Sequence, residues 1–311
     1  MRVLFMGTPA FAVPCLEMLI DEKYDVVGVV TQPDKPKGRG KKLTAPPVKE
    51  YAQSKGIAVY QPSTLKNNAF EATLASTNPD VIVVVAYGKI LPKYILSYPD
   101  NGCINVHASL LPKYRGAGPI QWSVINGDTE TGITTMYMDE GLDTGDMILK
   151  IKVLINPSET AGDLHDKLSI VGGSTLRETL ALIAQGNAPR TPQSDIKASY
   201  APMLDKNIGK IDWHKPANQI HNLIRGVNPW PTAYTYYKGE MMKIWRASIE
   251  NSNEKESPGT ILKHVPKQGL VVQAGNESLI LIQEVQFKGG KRMGIDDYLR
   301  GNNIQCGEKL E

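Results

Sequence analysis

Several things are scarce in this chain of 311 residues. Cysteine is one: Cys15, Cys103 and Cys306 are widely spaced and odd in number. That excludes a disulfide framework and fits a reducing compartment. Five scattered histidines make no metal-ligand spacing with them, so no metal is expected. No apolar run is long enough to cross a membrane, and the amino terminus enters a strand instead of a leader peptide. The glycine fingerprint G-x-G-x-x-G of dinucleotide folds is missing too. Only Gly7 occupies the first turn, followed by Thr8, Pro9 and Phe11. This argues against a nicotinamide oxidoreductase and reads as a turn with Thr8 capping the next helix.

What is present describes an ordinary soluble protein. The chain is 41% hydrophobic and 22% charged, enough to bury a core, and its length favours two domains. Strands are expected at 2–6, 25–31 and 80–85, the last carrying Val81-Ile82-Val83-Val84-Val85. Unbroken apolar runs of this kind suit strands buried on both faces, as in parallel sheets. Helices at 10–20, 47–54 and 68–75 alternate with them, and 160–185 has helical spacing. The alternation implies a doubly wound α/β domain, whose ligands bind beyond the carboxyl ends of its strands. Residues 186–202 carry three prolines and little periodicity, which suits a linker. Short strands at 232–237, 242–247, 269–274 and 279–285 then read as a small β-barrel. The net charge is +3, unevenly spread: residues 206–311 hold 15 Lys+Arg against 11 Asp+Glu. This excess suits a polyanionic partner.

One stretch changes character in mid-run. Gly102-Cys103-Ile104-Asn105-Val106 reads as a buried strand that delivers Asn105 and His107 at its end. Side chains two apart on a strand face the same way, so the two can converge. Downstream lies an acidic segment holding Asp139, Glu140, Asp143 and Asp146. An amide, an imidazole and a carboxylate suit acyl transfer to an amine. Spacing does not rank the acids. A satisfied core histidine and a strand-end amide are the competing readings of His107 and Asn105. The run Lys35-Pro36-Lys37-Gly38-Arg39-Gly40-Lys41-Lys42 has five cations and no acid in eight residues. It reads either as a solvated loop or as a phosphate-contacting loop moulded by its glycines. Arg225 to Trp230 reads as a packing turn, with Trp230 in the core. Tyr114 to Pro119 reads as the entrance to a helix beginning near Pro119.

Asn105, His107, Ser109-Leu110-Leu111-Pro112 and Asp143 resemble the signature of 10-formyltetrahydrofolate-dependent formyltransferases. The likeness extends through Val3-Leu4-Phe5-Met6-Gly7-Thr8-Pro9, Thr31-Gln32-Pro33-Asp34, Gly38-Arg39-Gly40-Lys41-Lys42, Val84-Val85-Ala86-Tyr87-Gly88 and Asn228-Pro229-Trp230-Pro231. These resemble the branch of the family that acts on methionyl-tRNA. Ala108 departs from the glycine or proline of many relatives, at a position whose side chain the site does not need. The resemblance implies a Rossmann-like catalytic domain at 1–189, a linker at 190–208 and an OB-like tRNA-binding barrel at 209–311. It selects Asp143 from the acids and makes Asn105, His107 and Asp143 catalytic. It implies a folate site lined by Ala86, Tyr87, Gly88, Leu91, Ser109, Leu110, Leu111, Pro112 and Asp139. Lys35, Lys37, Arg39, Lys41 and Lys42 would then grip tRNA. The implied formyl donor is 10-formyltetrahydrofolate, with no metal. The acceptor is initiator methionyl-tRNA, the setting cytoplasmic, with no membrane and no obligate protein partner. Formylation of another amine, on an amino sugar or a ribonucleotide, is the alternative within the family. A non-catalytic RNA-binding protein is the alternative outside it.

Overall fold

The structure, a computed structural model, describes every residue except Gly38, Arg39, Lys41 and residues 251–254. The chain divides into two compact units. The first comprises Met1–Pro119, Thr131–Leu154 and His165–Ala201; the second comprises Ile120–Glu130, Ile155–Leu164 and Pro202–Glu311.

In the first unit β1 (Arg2–Gly7) leads through a short 3-10 turn into α1 (Val13–Asp21), then β2 (Asp25–Val30). A hairpin of β3 (Lys35–Lys37) and β4 (Lys42–Thr44) precedes α2 (Pro47–Ser54). Then come β5 (Val59–Tyr60), α3 (Glu71–Thr77), β6 (Val81–Val85), α4 (Lys93–Leu96) and β7 (Cys103–His107). After α5 (Pro119–Ile125), which from Ile120 on belongs to the second unit, the sheet resumes with β8 (Glu130–Tyr137) and β9 (Met147–Leu154), followed by the long α6 (Ala161–Ala184), whose first four residues also belong to the second unit. The seven-stranded sheet has the order β5-β2-β1-β6-β7-β8-β9. Strand β1 runs parallel to both β2 and β6, and β7 runs parallel to β6. The chain therefore winds outward in both directions from β1. The strands expected from their apolar runs are the parallel ones, and beyond them β8 is antiparallel to β7.

The uniformly buried β6 confirms the logic of its five β-branched residues, which pack on both faces of a central strand. Leu4, Met6, Ile82 and Val84 meet Phe70, Leu74 and Ile95 in one cluster. Cys15 and Cys103 are core fillers, and burial pushes both thiols up to about 12.

The second unit is built on an antiparallel sheet. It contains α7 (Ala217–Gly226), β10 (Ala233–Tyr237), β11 (Glu240–Glu250), β12 (Ile261–Val265), β13 (Gly269–Gln273), β14 (Leu279–Phe287), β15 (Met293–Gly294) and α8 (Ile295–Leu299). The strand path is β10-β11-β14-β13-β12, with β15 on β14. Its two ends are joined by the carboxyl-terminal residues. Tyr236 and Glu311 exchange backbone hydrogen bonds of 2.9 Å, while Ile261 N donates to Glu308 O at 2.8 Å and Leu310 N to Gly259 O at 2.9 Å. Pairing both edges to one segment closes the sheet into a barrel and leaves no long free edge.

Helix α7 is not among the expected elements; it is short, and Asn218, Gln219, His221 and Asn222 make up much of its outer face. Ala217, Ile220 and Ile224 bury its inner face at helical spacing. Trp230 corrects another expectation. It is 54% exposed, and the tryptophan in this core is Trp213, whose indole N–H donates to Thr235 Oγ1 at 2.9 Å.

Candidate active site

The site lies where the first unit's parallel strands end. Beyond β6 the backbone turns left-handed at Ala86 (φ 47°) and Gly88 (φ 81°). Thr8 Oγ1 and Gln32 Nε2 both donate to Tyr87 O at 3.1 Å, and Gln32 N donates to Thr8 Oγ1 at 3.3 Å. Residues after β1, β2 and β6 are thus tied together. The expected helix cap at Thr8 is corrected here: its hydroxyl is spent on Tyr87, and no side chain caps the following helix. The Tyr87 ring and Leu91 turn into the core, while Ala86 and Gly88 face solvent. Burial pushes the Tyr87 hydroxyl up to about 12. Of the proposed folate residues in this loop, Ala86 and Gly88 offer open backbone, and Tyr87 and Leu91 support it from beneath.

At the end of β7 the two-residue spacing does what strand geometry requires. Asn105 Nδ2 donates to Asp143 Oδ1 at 3.3 Å, and His107 Nδ1 lies 3.7 Å from Asp143 Oδ2. His107 and Asp143 side chains are 7% and 12% exposed. Gly116 N donates to Asp143 Oδ2 at 2.8 Å. The Nε2 of His107 lies 2.9 Å from Tyr114 O. A carbonyl only accepts, so Nε2 carries a hydrogen, and in the neutral ring the lone pair is on Nδ1, beside Asp143.

The turn after β7 is held internally. Ser109 Oγ donates to Lys113 O at 2.6 Å, and Thr134 Oγ1 donates to Ser109 O at 2.7 Å. Leu111 N donates to Thr134 Oγ1 at 3.1 Å, and Lys150 Nζ donates to Leu111 O at 2.9 Å. Ser109 and Leu111 are buried, whereas Leu110 and Pro112 are half-buried.

Spacing left the acids unranked; their hydrogen bonds separate them. Asp139 Oδ1 accepts from Gly141 N at 3.0 Å and from Thr144 Oγ1 at 2.6 Å, so it braces its own loop. Glu140 pairs with Lys93 at 3.3 Å, and Asp146 lies 3.8 Å from Arg190. Among the four acids of this segment, only Asp143 is hydrogen-bonded to Asn105 and lies beside His107.

Gln193 has no signal in the local sequence. Its Nε2 donates to Asp143 O at 2.8 Å and to Gly145 O at 2.9 Å. Residues 191–201, whose composition suggests a linker, belong to the first unit and bond to the site's loops. Thr191 and Met147 exchange backbone hydrogen bonds of 3.0 and 2.9 Å, and Tyr114 N donates to Ser199 Oγ at 2.9 Å. Such long-range pairing has no periodic signature; the polar residues at 193 and 199 were its only trace.

The basic run forms a separate two-stranded sheet instead of a bare loop. Lys35 pairs with Thr44, Pro36 with Leu43, and Lys37 with Lys42. Lys35 and Lys42 are exposed. Arg39 and Lys41 lie outside the described residues, as does the side chain of Lys37. At the hairpin's base Lys49 Nζ donates to both oxygens of Asp34, at 2.8 and 2.9 Å, and to Gln61 Oε1 at 2.8 Å. Among the described residues, no group of three or more His, Cys, Asp or Glu side chains is placed to hold a metal ion.

Comparison with known proteins agrees with this architecture. Residues 1–180 match the formyl transferase family, and residues 203–303 match the formyl transferase C-terminal domain. A methionyl-tRNA formyltransferase of Acetivibrio thermocellus is 55% identical over 311 residues, covering 100% of this chain and 99% of that protein. One from Clostridioides difficile is 55% identical over 307 residues, covering 99% of each. Among solved structures, the sugar 3N-formyl transferase WlaRD, crystallised with dTDP and 5-N-formyl-THF, shares the fold. Its TM-score is 0.68 at 19% identity, covering 94% of this chain and 99% of that one. With both domains matched in order and its relatives alike from end to end, the chain belongs to the formyl transferase family.

Proposed function

We propose that the protein transfers a formyl group from 10-formyltetrahydrofolate to the α-amine of methionine on initiator tRNA, in the cytoplasm. The observation that carries this reading is the convergence of Asn105 and His107 on Asp143. Asn105 keeps one amide hydrogen on Asp143 and presents the other to an oxygen that gains negative charge. His107, with its Nε2–H committed to Tyr114, offers the Nδ1 lone pair to the proton released by the attacking amine. Asp143 beside that nitrogen stabilises the resulting imidazolium. The α-amine of an aminoacyl ester is less basic than a lysine side chain, so a neutral fraction is available to react near neutral pH.

The residues present fit a folate. Ala86 and Gly88 expose backbone, and Ile90 and Leu142 stand 80% and 52% exposed on two loops. The Lys93–Glu140 ion pair makes those loops neighbours. Exposed amides beside apolar side chains suit a planar heterocycle. Ala86, Gly88, Leu110, Pro112 and Asp139 would border it, with Tyr87, Leu91, Ser109 and Leu111 behind. When bound, the cosubstrate would supply an activated formyl carbon and, as the bond to that carbon breaks, N10 as the leaving nitrogen, to which the proton held at His107 Nδ1 can pass.

Support for tRNA over other amines comes from the full-length relatives and from the cationic run Lys35, Lys37, Arg39, Lys41 and Lys42, of which Lys35, Lys37 and Lys42 lie on the hairpin. Residues 1–189 would carry catalysis together with the segment 191–201 that is bonded to the site, and 209–311 would give a further grip on tRNA. The free thiols fit the reducing cytoplasm. The test is direct: incubate the purified protein with 10-formyltetrahydrofolate and charged initiator tRNA. Formylmethionine on the tRNA is expected. RNA affinity without turnover, or formylation of an amino sugar instead, would overturn the reading.

A further inference from the structure

We propose that Gln193 is a positioning residue for the reaction, setting where the Asp143 carboxylate stands against His107. This rests on the function proposed above. Asp143 sits in the left-handed region at φ 54°, which costs a residue with a side chain some free energy and is held here by hydrogen bonds to both its side chain and its backbone. Its side chain is fixed by Asn105 and Gly116, but its backbone is fixed by Gln193, whose Nε2 bridges the carbonyls of Asp143 and Gly145. The amide is itself oriented. Arg115 Nε donates to Gln193 Oε1 at 3.0 Å, which turns the NH₂ group toward the two carbonyls. Arg115 Nη2 also donates to Asp195 Oδ1 at 3.0 Å.

Three consecutive residues then address three members of the site. Tyr114 O takes His107 Nε2, Arg115 holds Gln193, and Gly116 N holds Asp143. This segment is fastened to the strap that carries Gln193. Arg115 N donates to Ser199 O at 2.8 Å, Ala201 N to Arg115 O at 2.7 Å, and Gly118 N to Ala201 O at 3.1 Å. One frame thus carries both His107's partner and Asp143's backbone clamp. Removing the Gln193 donors leaves two carbonyls of a strained turn without their shared partner. The turn can then shift and pull the carboxylate against its bonds from Asn105 and Gly116, away from its place beside Nδ1, while the residues bordering the proposed folate site stay as they are.

The experiment uses the full-length protein and the formylation assay. Gln193→Met keeps length and bulk and removes the donors. A fall in kcat of about 10–100-fold is expected, since misplacing a group by about 1 Å can cost that much. KM for both substrates should stay within about twofold. In an Asp143→Asn background the same substitution should cost less than about twofold, because its effect runs through Asp143. Gln193→Glu, which keeps the acceptor for Arg115 but faces the carbonyls with an oxygen, should lose kcat similarly with its thermal transition retained. A readout independent of turnover is the Gly116 amide, whose hydrogen exchange should speed at least about tenfold while β7 amides do not change. Wild-type kcat in folded Gln193→Met would overturn the proposal. So would an equal loss in the Asp143→Asn background, or unchanged Gly116 exchange. If the wild type itself transfers no formyl group, the function fails, and Gly116 exchange still decides whether Gln193 holds Asp143.

Discussion

The corner around Asn105, His107 and Asp143 and the hairpin of β3 and β4 belong to one unit yet are built on opposite terms. In the corner, each side chain is nearly buried and has a partner chosen by geometry. Two backbone segments far apart in sequence, 112–118 and 191–201, are sewn together to hold it. The hairpin has a three-rung ladder and exposed cations, anchored at its base by Asp34, Lys49 and Gln61. The difference is the one that the two proposed tasks would require. Stabilising a developing charge demands donors fixed before the reaction begins. Gripping a polyphosphate chain demands charge and reach, and tolerates movement.

The contrast is broken most directly at the corner. His107→Ala and Asn105→Ala should each lower kcat by roughly 10²–10³-fold with the fold intact, as for loss of an oxyanion donor. Steady-state formylation kinetics with circular dichroism as the control decide this, and near-normal kcat in either variant removes its residue from the chemistry. Asp143→Asn should be similarly impaired. Asp139→Asn should be far milder, because Asp139 braces only Gly141 and Thr144. The opposite ranking would mean that the wrong acid faces the amine.

Gly116→Ala comes next and separates scaffold from chemistry. Gly116 has φ 113°, and a Cβ there would stand 2.7 Å from Ala201 O. The substitution forces the strap away and drags the amide off Asp143. A destabilisation of about 1–3 kcal/mol, in the range of backbone strain, is expected together with a kcat loss. Denaturant unfolding beside kinetics checks it; a stable, fully active variant would show that the strap does not tension the site.

These ranks also show how far the sequence was legible. The long apolar run of β6, the alternation of strand and helix, and the placing of Asn105 and His107 two apart follow from local rules, and the structure has them. The strand β8 does not, since Gly132 and three threonines leave Glu130–Tyr137 without a clear apolar run. The residue type of Trp230 suggests the core, but burial depends on where a turn points, and here it points to solvent. Thr8 has the chemistry of a helix cap, yet a carbonyl brought 79 residues along the chain competes for its hydroxyl and wins. Gln193 was invisible for the same reason. Its role is created by the approach of segments that nothing local brings together.

The hairpin predictions are smaller and concern binding. Lys35→Ala and Lys42→Ala should raise KM for charged tRNA and leave kcat nearly unchanged. The sequence reading gives Arg39→Ala the larger share, because arginine presents a planar fork to phosphate and lysine a point charge. Removing one cation from the phosphates should flatten the salt slope of tRNA binding by about 0.7–0.9. Folate affinity should not change in any of them. Filter binding across a salt series measures this, and slopes equal to the wild type would return the hairpin to an ordinary solvated insertion.

The smallest effect tests the hairpin's anchor. Hydrogen bonds from Lys49 and Gln61, with the Lys49 charge, hold the Asp34 carboxyl below the usual aspartate range. A carboxyl with a lowered folded value contributes its stabilisation above the unfolded value, near 3.8, and loses it as pH falls through the folded one. Asp34→Asn should therefore give a slightly lower thermal transition from neutral pH down to about the ordinary aspartate range. The gap to the wild type should close below it, where the wild-type side chain is also neutral. The same variant should weaken tRNA binding modestly at neutral pH by loosening the hairpin's base, with kcat retained. A transition difference that persists unchanged at the acid end would show that the shape of Asp34, and not its charge against Lys49, anchors the hairpin. Loss of kcat would join hairpin and corner into one mechanical system and end the contrast between them.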